Sequence, residues 1–114
     1  MNNVDEIIQP HEIAKKSRFL NCQELLSLLK SGNINIFFSW GGHAFRRIEI
    51  ANETRGFRMM VQGRHHYGHV YIFVNGLDLF DVYFTNPKGK IKKIKTGLYF
   101  DMLQTAIDNF VEKK

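Results

Sequence analysis

The sequence predicts a single α+β domain over residues 1–114: an antiparallel, curled sheet of five or six strands in meander order, a C-terminal helix packed on it, and two short N-terminal helices. Three observations carry this. Apolar residues change to a two-residue period after Asn33. Glycine- and asparagine-rich turns cut the middle of the chain into short consecutive segments. Tyr99, Met102, Leu103, Ala106, Ile107 and Phe110 then recur at the spacing of one helical face. The expected division is 1–32 helical, 33–96 sheet and 97–114 helical.

Pro10 suits the first turn of a helix that runs to about Lys16, with Ile13 and Ala14 inward. A second helix has a fuller start signal. Asn21 can cap it, Glu24 follows three residues later, and Leu20 can staple to Leu25. Leu25, Leu26, Leu28 and Leu29 give its apolar face, and Gly32 gives a left-handed stop. Strands are expected at 34–40, 44–50, 57–62, 69–75, 78–85 and 90–95. Gly41-Gly42 reads as a tight hairpin and 52–56 as a polar loop. Gly63 and Gly68 bracket Arg64-His65-His66-Tyr67. Asn75-Gly76 is the strongest hairpin signal, since both residues tolerate positive φ, and Asn86-Pro87-Lys88-Gly89 is a further turn.

In the strand at 57–62, Phe57, Met59 and Val61 share one face, and Arg58, Met60 and Gln62 the other. The strand at 69–74 is apolar on both faces, which predicts a central, doubly covered position. The lysine-rich strand at 90–95 reads as an edge. In the last helix, Asp101, Thr105, Asp108 and Glu112 are expected to face away from the core, and Lys113 and Lys114 to complement the helix dipole.

A composition of 44% hydrophobic and 24% charged residues is that of a folded chain, not a disordered one. The lone Cys22 excludes an internal disulfide. No apolar run reaches the roughly 18 residues of a membrane span, and the acidic N-terminus lacks a signal-peptide core. The expectation is a cytoplasmic protein with no membrane partner. The net charge of +5 is unevenly spread. Residues 39–97 hold ten Lys/Arg against four acids, while the flanks hold six against seven. A basic sheet favours a polyanionic partner.

The expected binding surface comprises Arg46, Arg47, Arg58, Arg64, His65, His66, Lys88, Lys90, Lys92, Lys93 and Lys95, with Tyr67, Tyr71 or Trp40 available to stack on bases. Other chemistry is weaker. His65, His66 and His69 fall close together, but no Cys or acid lies near them in sequence, so no metal site is assigned. His43 reads as a turn residue. Asp78 and Asp81 flank an apolar stretch and could work as acid or base; the simpler expectation is that Asp78 closes a turn and Asp81 pairs with a cation. Cys22 at a helix start could have a lowered pKa or serve as a packing residue. Ser39 lies in no nucleophile elbow, and Gly41-Gly42 forms no phosphate loop, because no helix is expected after either. The second helix is too leucine-rich to be the recognition helix of a helix-turn-helix.

The run Ser39-Trp40-Gly41-Gly42-His43-Ala44-Phe45, followed by Gly68-His69-Val70-Tyr71-Ile72 and Asn75-Gly76-Leu77-Asp78-Leu79-Phe80-Asp81-Val82-Tyr83, resembles small accessory proteins of phages and mobile elements in gut-type bacteria. That resemblance implies an anti-defence context, with host defence proteins such as CRISPR effectors as partners (an anti-CRISPR type of role). It assigns no site residues.

The functional expectation is therefore a non-catalytic binder of nucleic acid or a ribonucleoprotein, without a cofactor, acting on a defence nuclease by occlusion. The alternative is a protein–protein module or homodimer that uses the apolar second face of the sheet. A metal- or acid-dependent enzyme ranks third.

Overall fold

The structure, a computed structural model, describes residues 6–31 and 34–112. Gly32, expected to stop the second helix, and Lys113 and Lys114, expected to complement the last one, lie outside the described residues.

Helix α1 (Pro10–Lys15) opens on its proline and buries Ala14. Helix α2 (Cys22–Lys30) is capped as expected. The Asn21 side-chain oxygen accepts from the backbone N–H of Gln23 at 3.0 Å and of Glu24 at 3.1 Å, while Leu25 and Leu29 are buried.

Residues 34–40, expected as a strand, instead hold helix α3 (Ile34–Ser39). The reason is tertiary. A strand would send Phe37 and Trp40 to opposite faces, whereas a helical turn brings both inward. There they meet edge to face, with ring centroids 5.6 Å apart. Gly41 ends the helix at φ 62°, its N–H donating to the Phe38 carbonyl. The Gly41-Gly42 pair is thus a helix-to-strand turn, not a hairpin.

Strands β1 (His43–Ile50), β2 (Glu53–Gln62), β3 (Tyr67–Val74), β4 (Phe80–Thr85) and β5 (Ile91–Leu98) form one antiparallel sheet in chain order. The double-sided strand β3 is central, and lysine-rich β5 is an edge. The loop expected at 52–56 shrinks to a two-residue turn, Ala51-Asn52, with φ of 51° and 69°. Two left-handed residues match the sheet twist, so pairing continues through Ile50↔Glu53. The Asn75-Gly76 hairpin forms, but its left-handed residue is Asp78 (φ 64°). The Asn75 side-chain oxygen accepts from the N–H of Leu77 and Leu79, and so makes the turn.

In a meander, alternate turns lie at opposite ends. The upper end holds the β1–β2 and β3–β4 turns. The lower end holds the connections at 63–66 and 86–90.

A one-turn 3₁₀ helix (Phe100–Met102) precedes α4 (Leu103–Val111). It changes the helical phase. Tyr99 and Met102, expected inward, are exposed, while Leu103, Ile107 and Val111 are buried. Each of these three contributes about 1.5–3 kcal/mol by leaving water. Asp108, expected outward, is also buried, where it accepts a 3.0 Å hydrogen bond from Trp40 Nε1.

Helices α2, α3 and α4 share one face of the sheet, packing on Phe57, Met59, Val61, Val70, Ile72, Val82 and Phe84. The second face carries Ile48, Tyr71 and Phe73, covered by Ile8, Ile13 and Ala14. The chain's own N-terminal segment therefore buries the centre of that face and leaves Ile94 on β5 exposed. Helices α1 and α2 lie on opposite faces, so they do not form a helix-turn-helix.

Candidate anion-binding surface

Ten of the eleven expected binding residues fall into three groups, and His66 is buried. Arg46 and Arg58 are direct cross-strand partners and share the second face. Arg47 pairs with Phe57, and Lys93 and Lys95 pair with Phe84 and Val82, which places these three on the helical face. The third group lies at or near the lower end: Arg64, His65 and Lys88 are exposed, Lys90 is half-buried, and Lys92 is exposed on β5.

Two residues take structural positions. Lys95 Nζ donates to the Ala106 carbonyl at 2.7 Å and lies 5.9 Å from the Phe84 ring centroid, tying β5 to α4. Burial lowers its pKa, and Lys93 lowers it further. His66 is 7% exposed, not part of a solvated tip, with its ring against Phe84 and Phe110. Burial lowers its pKa most. Hydrogen bonds to the His69 and Thr85 backbones oppose this, and His69 and Lys92 add to the lowering.

The lower end is held by its backbone. His65 N–H donates to the Val111 carbonyl at 2.8 Å, and Arg64 N–H to Glu112 Oε2 at 2.7 Å. Gly63 permits this contact. A Cβ there would lie 2.6 Å from the Val111 carbonyl oxygen and closer still to its Cγ1. In the next turn, Asn86 Oδ1 accepts from the N–H of Lys88 and of Lys90, both at 2.9 Å. The main chain is fixed while the Arg64, His65 and Lys88 side chains face solvent.

Three ion pairs form among the described residues: Lys15–Glu12 (3.4 Å), Arg18–Asp78 (3.3 Å) and Arg55–Glu53 (2.7 Å). None involves Arg46, Arg47, Arg58, Arg64, Lys88, Lys92 or Lys93.

On the second face, Pro10, His11, Arg46, Arg47, Ile48, Glu49, Arg58 and Tyr71 line a cleft of about 240 Å³. Like charges directly opposite each other on neighbouring strands destabilise a sheet, on the order of 0.2–1 kcal/mol. Arg46 and Arg58 are such a pair. Arg58 Nε and His69 Nδ1 are buried and have no hydrogen-bond partner among the described residues. An unsatisfied buried donor costs on the order of 1–3 kcal/mol. The His69 ring meets Tyr71 at 5.9 Å, edge to face. Its pKa is lowered by burial first and by the Arg58 charge second, with a hydrogen bond to the Pro87 backbone opposing both.

The other candidates lie elsewhere. Trp40 is fully buried and cannot stack on a base, Tyr71 is 6% exposed, and Tyr67 is 57% exposed near the lower end. Among the described residues, no group of three or more His, Cys, Asp or Glu gathers as for a metal. Asp78 is paired with Arg18, whereas Asp81 Oδ1 accepts from Asn75 Nδ2 and Gly97 N–H at 3.0 Å each, so its partners are neutral. Burial raises the Cys22 thiol pKa, with Arg47 opposing. Ser39 Oγ donates to the Ile36 carbonyl at 2.6 Å. Sequence reasoning missed His11 and Glu49 as cleft residues. His11 arrives only when α1 folds over the sheet, and the place of Glu49 depends on the register shift between Ile48 and Glu49 in β1, which no spacing rule reveals.

No protein-family model, curated protein or solved structure matches this chain.

Proposed function

We propose that this protein is a non-catalytic binder of a polyanion, a nucleic acid or ribonucleoprotein, that engages it through the lower end of the sheet and the adjoining second face. The observation that carries this reading is the set of cations left without ion pairs there: Arg46, Arg58, Arg64 and Lys88, with exposed Tyr67 beside them for base stacking. Cations without a neutralising partner on a rigid backbone present a positive potential to solvent. With the resemblance to phage accessory proteins, the partner class includes a host defence nuclease, and the mechanism is then occlusion of its nucleic-acid path.

The test is fluorescence anisotropy with single-stranded and duplex oligonucleotides across a salt series. Each neutralised phosphate adds about 0.7 (single strand) or 0.9 (duplex) to the slope of log affinity against log salt. Four engaged cations give a slope of about −2.8 on a single strand or about −3.6 on duplex. Binding that ignores salt, or no binding to any oligonucleotide or guide-loaded nuclease, rejects the reading.

A further inference from the structure

The cleft between α1 and the sheet sets two like charges side by side, one exposed on Arg46 and one on the half-buried Arg58. Arg46 and Arg58 face each other across β1 and β2, and Arg58 Nε is buried without a hydrogen-bond partner among the described residues. A planar guanidinium offers parallel N–H donors that match a phosphate, which a lysine cannot reproduce. We propose that this cleft is a pocket for a phosphate monoester, the terminal phosphate of a nucleic-acid strand or of a free nucleotide. The inference deepens the polyanion reading above and rests on it for the strand-end source.

Charge and shape both favour a terminal phosphate over a backbone one. Two guanidinium charges balance the roughly −1.5 to −2 of a monoester, whereas a diester carries a single negative charge. The cleft is walled by Pro10 and His11 on the α1 side, and its volume of about 240 Å³ suits one phosphate with an attached sugar. Arg47 adds a third guanidinium to the lining and Glu49 offsets one charge, so the cleft keeps the net +2 that a monoester dianion matches. Ile48 and the Tyr71 ring give the apolar surface for the adjoining sugar or base.

The experiment compares one oligonucleotide with a 5′-hydroxyl, a 5′-phosphate or a 3′-phosphate, alongside a nucleoside monophosphate and inorganic phosphate, by titration calorimetry. The expected result is that one terminal phosphate tightens binding by roughly tenfold or more over the hydroxyl end. Arg58→Gln and, independently, Arg46→Gln should remove that gain while leaving the fold intact by circular dichroism. Equal affinity for phosphorylated and hydroxyl ends, with no binding of the monophosphate or inorganic phosphate, overturns the pocket and leaves the wider surface standing. Monophosphate binding with no oligonucleotide binding supports the pocket, assigns it to a free nucleotide, and sinks the polyanion surface. A phosphate preference that survives both substitutions places the site elsewhere and also overturns the proposal.

Discussion

At the upper end of the sheet the arginines are occupied. Arg18 reaches Asp78 at 3.3 Å, and Arg55 binds Glu53 at 2.7 Å and the Ser17 carbonyl at 2.8 Å. At the lower end, the Arg64 and Lys88 side chains make no ion pair among the described residues, and main-chain hydrogen bonds from Arg64, His65, Lys88 and Lys90 hold the turns instead. Exposed ion pairs are worth about 0–1 kcal/mol, so the difference has little to do with stability. It concerns where the field points. The upper end cancels its charge locally, and the lower end projects it into solvent.

Glycine substitutions probe how each end is held. Gly63 is pressed against Val111, while a Cβ on Gly76 would meet nothing within 4 Å. Gly63→Val should cost about 3 kcal/mol or more by prying residues 63–66 from α4. Gly76→Ala should fall within about 0.5 kcal/mol of the parent. Urea unfolding of both variants measures the contrast. Equal costs at the two ends would mean that the lower turn is not anchored through Val111.

Charge reversal probes the field. Arg64→Glu with Lys88→Glu should weaken oligonucleotide binding by roughly tenfold or more and flatten the salt slope by about 1.4–1.8 for the two lost contacts. Arg18→Glu at the upper end should leave both nearly unchanged. If the upper-end variant does the greater damage, the binding surface has been assigned to the wrong end.

The cleft gives the opposite sign in stability. Arg58→Met removes a buried unpaired donor and a like-charge contact, so without phosphate it should raise stability by about 1 kcal/mol. Arg55→Met, which removes a paired and hydrogen-bonded group, should lower it by about 1 kcal/mol. Thermal melts in phosphate-free buffer separate the two. A loss in both would show that the Arg58 stem contributes more through packing than its charge costs.

Much of the fold was legible because its signals are local. The Asn21 cap, the alternation of Phe57, Met59 and Val61, and the double-sided strand around Val70 and Ile72 all appear in the structure as read. Failures came where a distant partner decided the outcome. The segment holding Phe37 is helical because Trp40 and Asp108 meet inside, 68 residues apart in sequence. The basic character of the sheet was legible, but its division between faces was not. A register shift between His43 and Arg46 sets which β1 arginine opposes Arg58, and no spacing rule reveals it.

The smallest expected effect is in pH. His66 and His69, near the lower end, both have pKa values lowered from 6.5, chiefly by burial. The folded state thus holds fewer protons on these rings than the unfolded chain does just below pH 6.5. Their contribution is fully present above 6.5 and is lost as pH falls through the lowered folded values. Denaturant midpoints should therefore drop with acidification below 6.5. His66→Phe keeps a ring between Phe84 and Phe110 but cannot titrate, so it should flatten part of that drop. His69→Gln should flatten the remainder, and more so in the parent than in Arg58→Met, because the Arg58 charge lowers the His69 pKa. An unchanged acid limb in both histidine variants would show that these two rings do not set it.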